Sequence, residues 1–235
     1  MKKRHFKRSG KGFWDKEYAQ KDLLALSSEP SEDLEKFARW LQRESGKQFL
    51  NPTVSVLDLG CGNGRNLLYL ASEYGVHGTG YDISHEAITQ AKAASRNLRT
   101  DFHVRSIREP IPLPDASQTI VLDMMVSHVL KAPQRDALRR EIVRVLKPGG
   151  WLFYKTFLLD EDEHAAQLLR DHPGDEPGSY IHPKIRAQEH VSTQEEIEQT
   201  LQESFFIHKM HPSHLHRLRG EAFKRRSICV YAERQ

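Results

Sequence analysis

One stretch leaves the backbone fewer options than any other: the apolar run 54–59 ends in Gly60, Gly62 and Gly64, each separated by a single residue, and a helical pattern follows at once. A short apolar run stopped by glycines reads as a buried strand, and the pattern behind it as the helix that the strand feeds. Glycine takes positive φ without a Cβ penalty, so the chain can turn sharply at the strand's carboxyl end and let a ligand lie against the main chain. A nicotinamide or flavin fingerprint needs its third glycine at position 65, where helix and strand pack closely, but that residue is Arg65. The spacing is instead Asp58-x-Gly60-x-Gly62-x-Gly64, and Asp82 closes the next apolar segment, 76–83.

Asp58, the three glycines and the acid at the end of the following strand resemble the first two motifs of the class I S-adenosylmethionine-dependent methyltransferases. A second stretch, Val145-Leu146-Lys147-Pro148-Gly149-Gly150-Trp151-Leu152, resembles the same family, in which a helix ends in a Pro-Gly-Gly turn before the fifth strand. The resemblance covers about 13–233. It implies an α/β, Rossmann-like, doubly wound sheet of seven strands in the order 3-2-1-4-5-7-6, the last strand antiparallel, with two helices ahead of it and S-adenosyl-L-methionine as cofactor. Tellurite-resistance-type and small-molecule enzymes are the members it most resembles.

The resemblance also distributes roles. Phe13-Trp14-Asp15-Lys16-Glu17-Tyr18 opens a helix with Trp14 and Tyr18 four apart on one face, and in the family such a helix often covers the cofactor. An aromatic face beside a sulfonium is favourable by about 1 kcal/mol when desolvated. Gly60, Cys61 and Gly62 would admit the methionine part, with Asp58 and Gly64 bounding the turn. Asp82, with Ile83 beside it, would accept both ribose hydroxyls, since a carboxylate has two acceptor oxygens. Many relatives place an Asp after the third strand to hold the adenine amino group; this chain has Ser106-Ile107 there, which leaves that contact to a hydroxyl and the backbone. Met124 ends the fourth strand and completes the cofactor set at the switch point of the sheet.

Methyl transfer from a sulfonium is an in-line displacement, so alignment and exclusion of water matter more than a dedicated nucleophile. If the acceptor must lose a proton, His128 just past the fourth strand is the expected base, with Tyr180, His182 and His190 next. No Asn/Asp-Pro-Pro-Tyr follows that strand and no Pro-Cys nucleophile, which speaks against exocyclic base-amine and carbon-5 pyrimidine methylation. His208, His211, His214 and His216 do not have the spacing of a zinc ligand set, so no metal is expected.

Along the chain, 1–12 reads as a basic disordered tail, and 13–235 as a single methyltransferase domain. Helices are expected over 64–74, 84–95, 134–146 and 192–203, with another beginning at the N-cap candidate Ser31. Strands are expected over 54–59, 76–82, 102–104, 119–124, 151–157, 205–210 and 227–233. The stretch 158–191 interrupts the alternation as an insertion or lid, with a short helix near 163–170. The chain is 29% charged with a net charge of +3 and a mean hydropathy of −0.65. No apolar run nears the roughly 18 residues of a membrane span, and a cytoplasmic protein without membrane partners is expected. Lys2, Lys3, Arg4, Lys7, Arg8 and Lys11 cluster at one end and Arg217, Arg219, Lys224, Arg225 and Arg226 near the other. Those clusters keep an RNA acceptor open, while the acids on 158–191 and the single Phe223 among the C-terminal basics favour a small-molecule acceptor. A module that binds the cofactor without turnover is the third reading.

Overall fold

The structure, a computed structural model, describes residues 10–20, 26–214, 217–218, 221–222 and 224–235. The basic cluster at 2–8, Arg219 and Phe223 lie outside the described residues. Helices α1 (Lys11–Gln20) and α2 (Glu32–Glu44) come first, followed by β1 (Ser55–Leu59), α3 (Arg65–Tyr74), β2 (His77–Asp82), α4 (His85–Ala94), β3 (Thr100–Val104) and β4 (Gln118–Met124). A 3-10 turn at Ser127–Val129 leads into α5 (Ala132–Val145), β5 (Leu146–Phe157) and α6 (Glu163–Asp171). The remaining elements are β6 (Ser179–Ile181), β7 (Gln188–His190), α7 (Gln194–Gln202), β8 (Phe205–Pro212), β9 (Arg217–Leu218), β10 (Glu221–Ala222) and β11 (Ser227–Arg234).

Seven strands form one sheet in the order β3-β2-β1-β4-β5-β11-β8. With the small hairpins β6–β7 and β9–β10 set aside, this is the expected 3-2-1-4-5-7-6. Strands β1 to β5 pair in parallel and β11 runs antiparallel to both β5 and β8. Buried side chains alternate between the faces, as pleating requires. Val56 joins Leu34, Phe37, Leu67, Leu70 and Ile88 of α2, α3 and α4, whereas Leu57 and Leu59 join Leu138, Ile142, Ile197 and Leu201 of α5 and α7. Phe37 stacks on Phe153 with ring centroids 4.8 Å apart, and each such buried side chain is worth roughly 1.5–3 kcal/mol.

Helix boundaries differ from the sequence pattern where capping decides them. Helix α1 begins at Lys11, two residues earlier than Phe13. Ser31 takes the extended N-cap backbone but its hydroxyl caps nothing; its N–H is held by Asn66 Oδ1 at 3.0 Å instead. Helix α5 starts two residues before Gln134, with Pro133 in its first turn, where a missing N–H costs nothing. Helix α7 is set by a reciprocal box in which Thr193 Oγ1 accepts from Glu196 N at 3.1 Å and Glu196 accepts from Thr193 N at 2.8 Å. The Pro-Gly-Gly segment does not precede β5 as a turn but bulges out of it: Gln118 opposes Leu146, and Ile120 already opposes Trp151.

The stretch 158–191 is ordered around Tyr180, Ala165 and Val191. Arg225, just before β11, ties it to the sheet: its Nε meets Asp162 Oδ2 at 2.8 Å, Nη1 bonds Tyr180 Oη at 2.5 Å, and the guanidinium lies 4.3 Å from the Phe157 ring centroid.

Candidate functional site

A cleft of about 540 Å³ opens at the carboxyl ends of β1, β2 and β4, within the size range of small-molecule sites. Its floor is the glycine turn. Gly60, Gly62 and Gly64 hold φ of +65°, +57° and +78°, which is the conformation that glycine alone adopts freely. A Cβ on Gly60 would sit 2.3 Å from Val126 Cγ2, and one on Gly62 would sit 2.1 Å from Tyr18 Oη. The first two glycines therefore let Val126 and Tyr18 pack directly onto the turn. The third has another task, and its placement in the cofactor set is corrected: Gly64 does not line the cleft. It is the left-handed N-cap of α3, where a Cβ would meet Phe102 at 2.7 Å and Ala91 at 3.0 Å.

Asp82 ends β2 and is 9% exposed. Its Oδ2 accepts from Gly62 N at 2.9 Å and its Oδ1 from Ser84 N at 2.8 Å, so the carboxylate is locked while each oxygen keeps a lone pair. Burial raises its pKa, and those backbone donors pull the other way. Asp58 on β1 does not line the cleft; at 2% exposed it lies beneath it, with an Oδ2 that has no hydrogen-bond partner among the described residues. Burial, then the Asp82 charge, push its carboxyl up to about 8. An unpartnered buried carboxyl beneath a cleft is costly unless it stays protonated or meets a cation.

Helix α1 walls one side. Asp15 Oδ1 accepts from Ser84 Oγ at 2.8 Å and from Glu86 N at 3.2 Å, fixing α1 across the start of α4. Gln90 Nε2 donates to Tyr18 O at 3.0 Å. Trp14, Phe13 and Tyr18 consequently all line the cleft. The segment before α2 is tied down from the turn: Arg65 Nη1 bonds Glu29 O at 2.7 Å and Asn63 Nδ2 bonds Ser27 O at 3.1 Å.

Of the residues expected around a cofactor, Trp14, Gly60, Cys61, Gly62, Asp82, Ile83, Ser106, Ile107 and Met124 come together around this one space. The two residues expected to act on the acceptor do not line it. His128 is 7% exposed and lines a separate cavity of about 290 Å³ with Asp123, Tyr154 and His190. Burial pushes its imidazole down to about 4, a weak base at neutral pH. Tyr180 is fully buried, its hydroxyl held by Glu189 and Arg225, and burial raises its pKa further. Both corrections have one cause: position just past a strand end, or on an insertion, does not say which way a side chain turns. His190 joins His128 in the smaller cavity.

Other lining residues were missed. Tyr18 and Phe13 were legible from their helix face, whereas Ile185, Ala187 and Gln188 come from 158–191, and no local pattern reveals that they return to the β4 end.

Comparison with known proteins points the same way. A family model described as a methyltransferase domain matches residues 56–150. The chain is 31% identical over 153 residues to 27-O-demethylrifamycin SV methyltransferase of Amycolatopsis mediterranei, covering 63% of this chain and 50% of that protein. It is 27% identical to a fatty-acid O-methyltransferase of Mycolicibacterium smegmatis, covering 58% of this chain and 49% of the relative. The chain thus spans about half the length of these curated relatives. A solved S-adenosylmethionine-dependent methyltransferase from Methanosarcina mazei superposes with a TM-score of 0.66 at 26% identity, over 80% of this chain and 95% of that one. A glycine turn under an aromatic helix, a locked acid at the tip of β2, the strand order and these matches together make the chain similar, over 56–150 and in fold, to the class I S-adenosylmethionine-dependent methyltransferases.

Proposed function

We propose that this protein transfers a methyl group from S-adenosylmethionine to a small molecule, and the observation that carries the reading is the convergence of Gly60, Gly62, Asp82, Ser106 and Trp14 on one cleft. The residues fit the cofactor. Gly60 and Gly62 bring main chain to the cleft without a side chain, Asp82 has lone pairs left for two hydroxyls, and the unpartnered Oδ2 of Asp58 suits a cationic ligand above it. When bound, the cofactor supplies a methyl group on a positively charged sulfur. Asp82 holds and orients through hydrogen bonds, Trp14 and Tyr18 exclude water, and 124–126 carry the wall on which an acceptor would lie.

The names of the relatives, a rifamycin and a fatty-acid enzyme, support a small-molecule acceptor. An RNA acceptor is less favoured because two of the C-terminal cations are spent internally, Arg225 on Asp162 and Arg226 on Glu161. Isothermal titration tests the reading. S-adenosylmethionine is expected to bind, and Asp82→Ala to weaken it by about 1.5–3 kcal/mol, the value of a hydrogen bond to a charged group, roughly ten- to a hundredfold. Unchanged affinity in a folded variant would remove Asp82 from the site. Cofactor binding with no methylation of any extract component would favour the module without turnover.

A further inference from the structure

The cleft has two chemically distinct parts. Around the glycine turn it sets the Asp82 carboxylate among the rings of Phe13, Trp14 and Tyr18. At the end of β4, Met124, Met125 and Val126, together with Ile185 and Ala187 from the segment before β7, make a wall of carbon and sulfur. Met125 holds φ +59°, which costs a residue with a Cβ about 1 kcal/mol or more. Its N–H donates to Lys155 O at 2.8 Å, so the neighbouring strand helps hold that conformation. Strain of this kind beside a cleft marks a wall whose shape is specified.

The titratable groups of the cleft are one-sided. Among the described residues that line it, Asp82 is the one acid, none is a histidine, and Arg65, Arg105, Arg108 and Lys131 are cations. Arg105 faces Glu109 at 3.4 Å and Lys131 pairs with Asp175. Arg65 spends one N–H on a carbonyl, and neither it nor Arg108 has a carboxylate within ion-pair distance among the described residues. Tyr18 keeps its proton, because burial and then the charge of Asp82 raise its pKa. Among the described residues that line the cleft, an acceptor that must lose a proton finds no histidine, and the one carboxylate, Asp82, already accepts two backbone N–H groups. One that is already ionised needs no base and meets an excess of positive charge.

Resting on the methyl-transfer reading above, we propose that the acceptor is an apolar molecule with one acidic oxygen ionised near neutral pH, a carboxylate or a phenolate, lying against 124–126 and Ile185. The acceptor oxygen supplies the electron pair of the new oxygen–carbon bond, and the carbon–sulfur bond breaks with its pair left on sulfur. The negative charge of the anion and the positive charge of the sulfonium disappear together, and no proton moves.

The test offers the full chain, with S-adenosylmethionine, octanoate, 4-nitrophenolate, 1-octanol, octylamine and 1-octanethiol, and counts methylated product by mass spectrometry. One of the two oxygen anions is expected to react at least about tenfold faster than the neutral and cationic compounds, and the two arms separate carboxylate from phenolate. With S-adenosylmethionine saturating, so that the bound cation holds Asp58 ionised, a reacting octanoate should show a rate that is flat from about pH 6 to about pH 9. Calorimetry on the chain saturated with S-adenosylhomocysteine gives a readout apart from turnover: Arg108→Gln should weaken binding of the preferred anion about tenfold. Faster methylation of octylamine or octanethiol, a rate that climbs with pH as a base titrates, undiminished anion binding in Arg108→Gln, or cofactor binding with neither anion methylated overturns the acceptor class and leaves the methyl-transfer reading standing. Failure of the cofactor to bind removes both.

Discussion

Asp58 and Asp123 sit on adjacent strands, each 2% exposed, and burial raises both carboxyls, to about 8 and about 6 respectively. A folded-state pKa above the unfolded value means that the folded state binds the proton more tightly. The corresponding stability is complete below about pH 4, where unfolded Asp titrates, and is lost as pH rises toward the folded values. Asp33 and Asp162 run the other way, their carboxyls held low despite burial by Lys155 and by Arg225 respectively. Their contribution is complete above about pH 4 and is lost in acid. His128, His182 and His190, whose imidazoles burial pushes down, oppose the raised pair until unfolded histidine is neutral, near pH 6.5. From about pH 6.5 to pH 8 Asp58 governs, so urea denaturation of the unliganded chain should show stability falling with pH, by up to about 1.4 kcal/mol per unit. Asp58→Asn should flatten that fall. A stability that rises across this range would contradict the assignment. A cation bound in the cleft should draw the proton from Asp58, and calorimetry in two buffers of different ionisation heat at pH 7 would read its release.

At the scale of elements, the stretch 158–191 is fastened by Arg225 rather than by a large core of its own. Asp162 is 2% exposed and keeps its N-cap bond to Ala165 N at 3.0 Å, but its charge is balanced by Arg225. Arg225→Ala leaves that charge uncompensated, and breaking such a pair typically costs about 3–5 kcal/mol. Urea unfolding and limited proteolysis within 158–191 would measure it, and a loss under about 1 kcal/mol would mean that Arg225 is not the fastening. This contact was illegible in the sequence because its partners are 63 residues apart. The alternating elements were legible for the opposite reason: strand β1, the glycines, α3 and β2 are consecutive, and period and capping are local. The hairpin β6–β7 has three-residue strands, too short for alternation to register. The bulge at Lys147-Pro148-Gly149-Gly150 is fixed by register with β4 rather than by its own residues.

Over the whole molecule, the convergence of residues around the glycine turn could be read because strand ends and glycines announce themselves, whereas the wall carrying Ile185 depends on where distant segments return. Met124 lines the cleft and Asp123 the smaller cavity, but alternation ends with the strand: Met125 takes φ +59° and a 3-10 turn carries His128 to the Asp123 side. The two walls are also attached by different forces. Among the described residues of α1, Glu17 is the one that is buried, and the helix is tied to α4 by hydrogen bonds through the Asp15 carboxylate and the Gln90 amide. Water can replace such bonds at small net cost, about 0.5–1.5 kcal/mol each, while the wall carrying Ile185 is stapled to the sheet by a buried ion pair. The molecule thus has a door and a jamb. On the proposed methyl-transfer reading, cofactor should come and go by displacing α1, and the wall carrying Ile185 should keep its shape through every exchange, so that selectivity is set once by folding and not rebuilt at each turnover. Hydrogen exchange would read the asymmetry as fast labelling of 11–20 against slow labelling of 179–190, and equal rates would mean that both walls move.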